Sequence, residues 1–234
     1  MNKKKLVTSL VTTSMLGGLL VGGMSASAAP VDSDKTKVEF GFIKDYNPPK
    51  PAPDGDITLR WTPKAFQFGN AHTVVTTSLP KTYDEINTTG GVGRYVVVDD
   101  QRPDSAANKW KLTAALSDLD ADSSTRLAGA KIQIDLGLTQ EVYEYTGSNE
   151  PVDADVTAPV ATSIAKAAAT SITLQQPSDL GSSVDVADGL GSVTSKGAFA
   201  TKMTNIKLID VDQLAAYDGK QFSGNITWTL DDTI

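Results

Sequence analysis

The sequence contains no cysteine and only one histidine, His72, among its 234 residues. Without a thiol the chain has neither a cysteine nucleophile nor a disulfide, and one histidine leaves too few nitrogen and sulfur ligands for a typical zinc site. His72 opens a run rich in valine and threonine, where we interpret it as an ordinary strand-end or surface residue. These absences argue against thiol and zinc hydrolases, and we predict that the protein is not an enzyme and uses no cofactor. An extracellular hydrolase remains an alternative, because the chain has many carboxylates.

Basic residues are also scarce. The chain has 21 lysines and arginines against 28 acidic residues, which gives a formal net charge of −7. An acidic surface repels the phosphates of nucleic acids and of anionic lipids. We therefore expect no nucleic-acid partner. Any attachment to a wall polymer would then depend on shape, stacking and hydrogen bonds rather than on bulk charge.

Long apolar runs are absent beyond the N-terminus. Residues 1–28 combine a lysine-rich start, an apolar stretch of small residues and an Ala-x-Ala sequence that ends at Ala28. This pattern is typical of a secretory signal peptide, and we predict cleavage between Ala28 and Ala29. A permanent membrane anchor is the alternative interpretation, but no later run approaches the roughly 20 apolar residues of a helical span. We expect a secreted protein, with no membrane span after the signal is removed.

Two common routes to surface attachment are missing as well. The sequence has no cysteine for lipid modification and no sortase motif of the Leu-Pro-x-Thr-Gly type. We therefore expect a protein that carries no covalent anchor. It would be released or held on the envelope by its own fold.

What the sequence does contain is short runs of valine, isoleucine and threonine between turn signals. Such runs predict an all-β fold, an antiparallel β-sandwich-like domain. One Ala-rich stretch, 162–171, is the only segment that invites a helical interpretation. The predicted strands include 57–61, 72–79, 94–100, 109–116 and 130–138, with three more before the C-terminus.

The N-terminal part differs in composition from the rest. Val38 and Phe40 alternate with polar residues, which predicts a half-buried strand, and a Pro-rich stretch that ends in an Asp-Gly turn follows it. We therefore divide the chain into a signal peptide (1–28), an N-terminal strand with a Pro-rich linker (29–56) and a β domain (57–234).

One acidic stretch resembles the start of a calcium loop. Asp118, Asp120 and Asp122 have the Asp-x-Asp-x-Asp spacing of such loops. Ser123 then stands where glycine is expected, and Gly129 where the bidentate glutamate should be. We interpret the stretch as a solvated turn between strands and predict no metal site, although calcium binding stays an open alternative.

Two Trp-x-Leu triplets stand out among the predicted strands: Trp110 with Leu112, and Trp228 with Leu230. Residues i and i+2 of a strand point to the same face, so each triplet places its two apolar side chains together. One interpretation is that both strands supply core residues, since a buried tryptophan removes up to ~250 Å² from water. The other is that the indoles line a groove and stack on sugar rings.

The order of three sequence blocks resembles the WxL-domain cell-surface proteins of low-GC Gram-positive bacteria, in their short form. The blocks are "ITLRWTPKAFQFGN", "YVVVDDQRPDSAANKWKLTAALSDL" with the following "LAGAKIQI", and "NITWTLDD". The second block includes an Asp-x-Arg-like loop. The chain departs from the family where a Gly-x-Gly sequence is often followed by an aromatic residue: Gly189 and Gly191 are present, but Val193 follows them.

The resemblance implies a secreted protein held non-covalently on the cell wall, with peptidoglycan as the proposed ligand. It also implies other WxL proteins and a membrane-anchored protein of the DUF916 type as possible partners. We therefore predict a non-enzymatic wall protein that binds peptidoglycan or another wall glycan. The alternative is a subunit of a surface complex that is retained through such partners.

Overall fold

A computed structural model describes residues 32–39, 56–76, 79–86, 94–102, 109–137, 141–143, 151–159, 165–190 and 197–232. Sixteen strands lie in these ranges: β1 (Asp32–Glu39), β2 (Ile57–Trp61), β3 (Ala65–Gln67), β4 (Lys81–Asp84), β5 (Arg94–Asp100), β6 (Lys109–Leu116), β7 (Asp120–Asp122), β8 (Thr125–Arg126), β9 (Lys131–Leu136), β10 (Glu141–Tyr143), β11 (Val156–Pro159), β12 (Ala165–Ala167), β13 (Ser171–Gln175), β14 (Val184–Leu190), β15 (Gly197–Val211) and β16 (Ser223–Asp231). Three short 3-10 turns also occur, at Asp153–Asp155, Pro177–Asp179 and Ala215–Tyr217.

The strands form two sheets. Sheet A has the order β12-β14-β6-β16-β1-β3, and the β7–β8 hairpin joins it at β16. Sheet B has the order β11-β10-β15-β5-β2, while β9 and β4 also pair with the long strand β15, and β13 pairs with β9. Neighbouring strands run antiparallel except β1 and β3. The predicted all-β, sandwich-like fold class is confirmed, and the described residues contain no helix of seven residues or more.

The two sheets share one apolar core. Strands β6 and β16 supply every second side chain to it, from Trp110 to Leu116 and from Ile226 to Leu230. Sheet B contributes alternate residues of β9 and β5 together with Phe199 of β15. Each large apolar side chain in this core stabilises the fold by about 1.5–3 kcal/mol relative to exposure.

Strand β5 is buried on both faces, which explains its unbroken apolar run Tyr95-Val96-Val97-Val98. Val96 and Val98 face the shared core, whereas Tyr95 and Val97 join a second apolar cluster on the other face of sheet B. A strand covered on both faces does not need the polar alternation of a half-solvated sheet. The second cluster also contains Trp61, Ala198 and Ala200.

The segment that begins at Pro151 packs over part of this second cluster. The hydroxyl of Tyr95 donates to one carboxylate oxygen of Asp153 at 2.6 Å, and the ammonium of Lys202 donates to the other at 2.8 Å. These hydrogen bonds, with that of Lys202 the larger, hold the pKa of Asp153 below its ordinary value.

Strand β1 is an integral part of sheet A. It pairs along its whole length with β16, from Asp32 opposite Leu230 to Glu39 opposite Ser223, and runs parallel to β3 on its other side. The sequence analysis placed this strand with the linker, before a domain that starts at residue 57. The pairing joins 32–39 to the β domain, because β1 covers the open edge of β16.

The structure assigns one ambiguous stretch, and it differs from one local prediction. The Ala-rich stretch that invites a helix contains strand β12, since Ala165–Ala167 pairs with β14, and 160–164 lies outside the described residues. The run 72–79 is not a strand over 72–76, where His72 and Val75 are exposed. The predicted signal peptide, with Ala28 and Ala29, and the Pro-rich stretch also lie outside the described residues.

Candidate functional site

The two Trp-x-Leu strands lie side by side in the middle of sheet A. β6 and β16 pair antiparallel, with Leu112 opposite Leu230 and Trp228 opposite Ala114. All four predicted binding residues face the shared core: Trp110 is 1% exposed, and Leu112, Trp228 and Leu230 are each 0% exposed. The structure therefore brings the two triplets together and places them where they have no contact with solvent.

Trp228 is held by a chain of buried hydrogen bonds. Its indole Nε1 donates to the hydroxyl of Thr36 at 2.6 Å, and that hydroxyl donates to the backbone carbonyl of Pro63. Thr36 is itself 0% exposed and lies on β1. A buried indole N–H without a partner would cost about 1–3 kcal/mol, so Thr36 allows the tryptophan to be fully buried.

Trp110 has a different partner, Gly189 of β14. The two residues face each other in register, and a Cβ added at Gly189 would overlap the indole of Trp110. The ring also packs at an angle of 36° against Phe199 of sheet B, with ring centroids 6.2 Å apart. A glycine inside a strand marks such a close approach, which is the signal in "ADGLG" that assigns Gly189 a packing role.

The Asp-x-Arg-like sequence at 100–102 links the ends of strands β5 and β16 through hydrogen bonds and an ion pair. The guanidinium of Arg102 donates from Nε and Nη2 to the two oxygens of Asp100, each at 2.9 Å. Asp232, just after β16, lies 3.6 Å from the same guanidinium. These carboxylates raise the pKa of Arg102, with the Asp100 hydrogen bond the largest cause. The loop thereby connects the end of β5 to the end of β16.

The acidic stretch around β7 is engaged in hydrogen bonds within the fold. Asp118 accepts from the backbone N–H and the hydroxyl of Ser178, at 3.2 and 2.5 Å. Asp122 accepts from Ser124 and from the ammonium of Lys220, and these bonds, that of Lys220 first, hold its pKa well below the usual range. In the part of the chain that the structure describes, no group of three or more acidic or histidine side chains could hold a metal ion.

Gln176 is a buried polar hub beside this hairpin. Its side-chain amide donates to the carbonyls of Leu127 and Ala130 at 2.7 and 2.8 Å and accepts from the backbone N–H of Leu119 at 2.8 Å. It is 0% exposed, so these bonds replace the water that it loses. These bonds fix the 127–130 turn, and with it the position of the buried side chain of Leu127.

One groove of about 240 Å³ opens where the chain after β3 meets the loop between β15 and β16. We call it the loop groove. Its floor is apolar and consists of buried residues of the shared core, and its rim is polar and exposed. The floor residues are Leu127, Leu208, Val211, Tyr217 and Phe222, and the rim includes Asn70, Ala71, His72, Asp212, Lys220 and Gln221.

Two pairs of aromatic rings line the loop groove. The rings of Tyr217 and Phe222 meet edge to face with centroids 5.0 Å apart. The rings of His72 and Tyr83 stack at an angle of 39° with centroids 4.0 Å apart, and His72 Nε2 lies 2.6 Å from the carbonyl oxygen of Phe68. The single histidine, interpreted from the sequence as an ordinary surface residue, is therefore part of the groove wall.

Hydrogen bonds hold the rings in place. The amide of Gln213 donates to the hydroxyl of Tyr83 at 3.1 Å, and the backbone N–H of Ala128 donates to the hydroxyl of Tyr217 at 3.3 Å. Sequence reasoning missed the loop groove because its residues come from four distant parts of the chain. No single motif joins them, and only the turn-rich composition of 212–222 marks that loop.

The sequence as a whole belongs to a known class of protein. Comparison with protein-family models places the chain among surface domains that bind the cell wall, through a match over residues 22–233. The matching model is "WxL domain surface cell wall-binding", and the chain belongs to the WxL family. Searches of curated proteins and of solved structures each gave no significant match. The described residues include no helix with the length and apolar character that a membrane crossing requires.

Proposed function

We propose that this protein is a non-enzymatic surface protein that attaches non-covalently to the cell wall by binding peptidoglycan. Membership of a family of surface cell wall-binding domains carries the proposal, because the match spans 22–233 of the 234 residues. We also propose that residues 1–28 are a signal peptide, that the protein is secreted, and that the wall is of the Gram-positive type.

The charge of the chain supports peptidoglycan over the anionic polymers of the wall. The formal net charge is −7, so a polyanion would be repelled at long range. The glycan strands of peptidoglycan present many neutral hydroxyl and acetamido groups, which hydrogen bonds and ring stacking recognise without bulk charge.

Co-sedimentation of the purified protein with sacculi tests this proposal. We expect it to pellet with native sacculi and at least as well with sacculi from which acid has removed the anionic polymers. An unrelated acidic protein of similar size serves as the control and should stay in the supernatant. A protein that stays soluble with both preparations would contradict direct binding.

The same experiment distinguishes direct wall binding from the alternative function, a subunit of a surface complex that is retained through a partner protein. If the protein pellets only after a detergent extract of the producing cells is added, retention depends on a partner. The partners implied by the resemblance are a DUF916-type protein and other WxL proteins. Mass spectrometry of the pellet would then identify the protein that holds it.

We further propose that Trp110, Leu112, Trp228 and Leu230 support wall binding only by holding the domain folded. Their burial supports this, because an indole that is 0–1% exposed has no open face for a sugar ring. Contact with the wall is then left to groups at the surface.

A further inference from the structure

We propose that the loop groove is the site that contacts the wall, and that it accepts one uncharged N-acetylated sugar ring of a glycan chain. The inference rests on the proposed function, since it assigns a site and a ligand class to wall binding. Three features of the groove support it: the apolar floor, the polar rim and the size.

The floor suits the apolar face of a pyranose ring. Tyr217 and Phe222 are 9% and 8% exposed, so each is anchored in the core and still contributes atoms to the groove surface. Rigid aromatic surfaces are favourable for stacking because little conformational entropy is lost when the ligand binds. Leu208 and Val211 add further apolar surface to the floor.

The rim offers the polar groups that sugar hydroxyls and an acetamido group need. Asn70 and Gln221 carry amides, which both donate and accept. Within the described part of the chain, neither of these side chains makes a hydrogen bond, and both are exposed. A few polar groups around an apolar floor are the usual composition of a small-molecule site.

The charges around the groove favour a neutral ligand. Lys220 is engaged with Asp122 at 2.8 Å, so its charge is offset, and Asp212 adds a negative charge at the rim. A phosphate-bearing polymer would approach this carboxylate without a cluster of arginines or lysines to receive it. An uncharged sugar meets no such penalty.

The size of the groove limits the ligand to a short unit. Its volume of about 240 Å³ is below the roughly 300–1,000 Å³ of sites that enclose a whole drug-sized ligand. One ring would therefore enter the groove while the rest of the chain continues across the surface.

Filling the groove tests the assignment. Ala71 is exposed on the rim, so Ala71→Trp should block the groove without changing the core. Ala168 is also exposed, follows β12 in sheet A and does not line the groove, so Ala168→Trp is the matched control. Gln221→Ala is a smaller second change that removes one rim amide. Circular dichroism and thermal melting verify that each variant is folded.

The probes are an N-acetylglucosamine tetramer in calorimetric titration and intact sacculi in co-sedimentation. For Ala71→Trp we expect affinity for the tetramer to fall at least about tenfold, and for Gln221→Ala a few-fold, with Ala168→Trp unchanged. Suppose that the wild type pellets with sacculi, and that Ala71→Trp binds the tetramer and the sacculi as well as the wild type does. The groove assignment is then overturned while the proposed function stands.

A second set of outcomes separates the two proposals in the other direction. If the wild type fails to pellet with sacculi yet binds the tetramer in an Ala71-dependent way, the groove is supported as a site for an N-acetylated sugar, while its contact with the wall and the proposed function are not. Titration with a glycerol-phosphate polymer completes the design. Tighter binding of that polyanion than of the tetramer would overturn the choice of a neutral ligand.

Discussion

At the residue level, the two Trp-x-Leu triplets have the same sequence pattern and different surroundings. The indole N–H of Trp228 donates to the hydroxyl of Thr36, whereas the indole of Trp110 packs against Gly189, which has no side chain. Neither tryptophan therefore substitutes for the other. Each depends on a particular small or polar residue on the neighbouring strand, which gives two separate tests of their structural role.

The Trp228–Thr36 bond should appear as an energetic coupling. Trp228→Phe removes the N–H and leaves a small cavity, and we expect it to lower the free energy of unfolding by about 2 kcal/mol. Thr36→Val should cost a similar amount because it leaves the indole N–H unpaired. The double variant should cost about 1 kcal/mol less than the sum of the two single variants. Urea denaturation measures all three, and strict additivity would show that the bond contributes nothing.

Wall binding provides the control for this pair. If Trp228 acts only in the core, folded Trp228→Phe protein should pellet with sacculi as the wild type does. Lost pelleting with an unchanged melting temperature would instead support the stacking interpretation of the triplets.

Gly189→Ala should be strongly destabilising, because its Cβ would overlap the Trp110 indole. We expect a loss of about 1–3 kcal/mol, typical of overpacking in a core. In a Trp110→Leu background the ring is absent, so the same glycine change should cost much less. Thermal unfolding of the four proteins gives the comparison, and an equal cost in both backgrounds would mean that Gly189 is required for another reason.

For single residues, the sequence predicts which face of a strand a side chain occupies better than it predicts the hydrogen-bond partner of that side chain. Alternation placed Trp110 with Leu112, and Trp228 with Leu230, on one face of their strands, as the structure shows. It could not predict that Thr36 receives the indole N–H, because Thr36 and Trp228 are 192 positions apart. Such a bond depends on the pairing of β1 with β16, which no local pattern encodes.

At the level of elements, strand β16 is the central connection of sheet A. It pairs with β6 on one side and β1 on the other, and Ile226, Trp228 and Leu230 point into the core. We expect removal of residues 226–234 to unfold the domain, since it exposes both neighbouring strands and removes three buried apolar side chains. Removal of 233–234 alone is the control and should leave the fold intact.

Circular dichroism and limited proteolysis distinguish these two truncations. A nine-residue truncation that stays folded but no longer pellets with sacculi would assign β16 a direct binding role. It would contradict the structural role proposed for the motif.

Acid should loosen the contact between β8 and the Pro177–Asp179 turn. Arg126 donates to both oxygens of Asp179, at 2.7 and 2.9 Å, and this bond is the main reason that the pKa of Asp179 is lowered. A carboxylate with a lowered folded-state pKa contributes stability that is fully present above its unfolded pKa of about 3.9 and is lost as pH falls through the folded value. The contribution should therefore begin to decline below about pH 4 and be lost as the pH falls further, through the lowered pKa of Asp179.

Asp179→Asn tests this assignment. The variant should be less stable than the wild type at pH 7, and the difference should shrink as the pH falls below about 4. Asp155, a partly exposed aspartate on a different turn, serves as the control through Asp155→Asn. Urea midpoints measured across the pH range give the result, and a pH-independent difference would mean that the charge of Asp179 is not involved.

The sequence predicts elements well where one pattern dominates. β6, β9 and β16 alternate strictly, and β5 is a continuous apolar run, so all four were predicted as strands. β12 was not, because Ala165–Ala167 lies in an alanine-rich stretch whose residues favour helices. Its pairing with β14 overrides that preference. β4, with the polar sequence Lys-Thr-Tyr-Asp, has no apolar pattern and owes its strand structure to β15.

At the level of the whole molecule, the two proposals place stability and wall binding in different parts of the fold. The Trp-x-Leu strands contribute buried side chains to the interior, while the residues that line the loop groove come from the segments 70–74 and 208–222 together with Tyr83 and Leu127. A sequence pattern can indicate which side chains lie in the interior, because burial follows the two-residue period of a strand. It cannot indicate the groove, whose residues become neighbours only after both sheets have formed.

Salt dependence tests how the whole charge distribution acts in wall binding. A protein of net charge −7 that bound through a basic patch would lose affinity as salt is added, because counterions compete for the contacts. The binding proposed for the loop groove would depend on stacking and neutral hydrogen bonds. Many charged side chains are already paired within the fold, among them Arg60, Arg94 and Arg102.

We therefore expect pelleting with sacculi to stay unchanged, or to increase slightly, when salt rises from about 0.1 M to about 1 M, as the Debye length falls from ~10 Å to ~3 Å. The increase would reflect screening of the repulsion between an acidic protein and anionic wall polymers, so it should vanish with acid-stripped sacculi. A basic wall-binding protein serves as the comparison and should be released by salt. Release of this protein at about 1 M salt would locate the contact at charged residues instead of the loop groove.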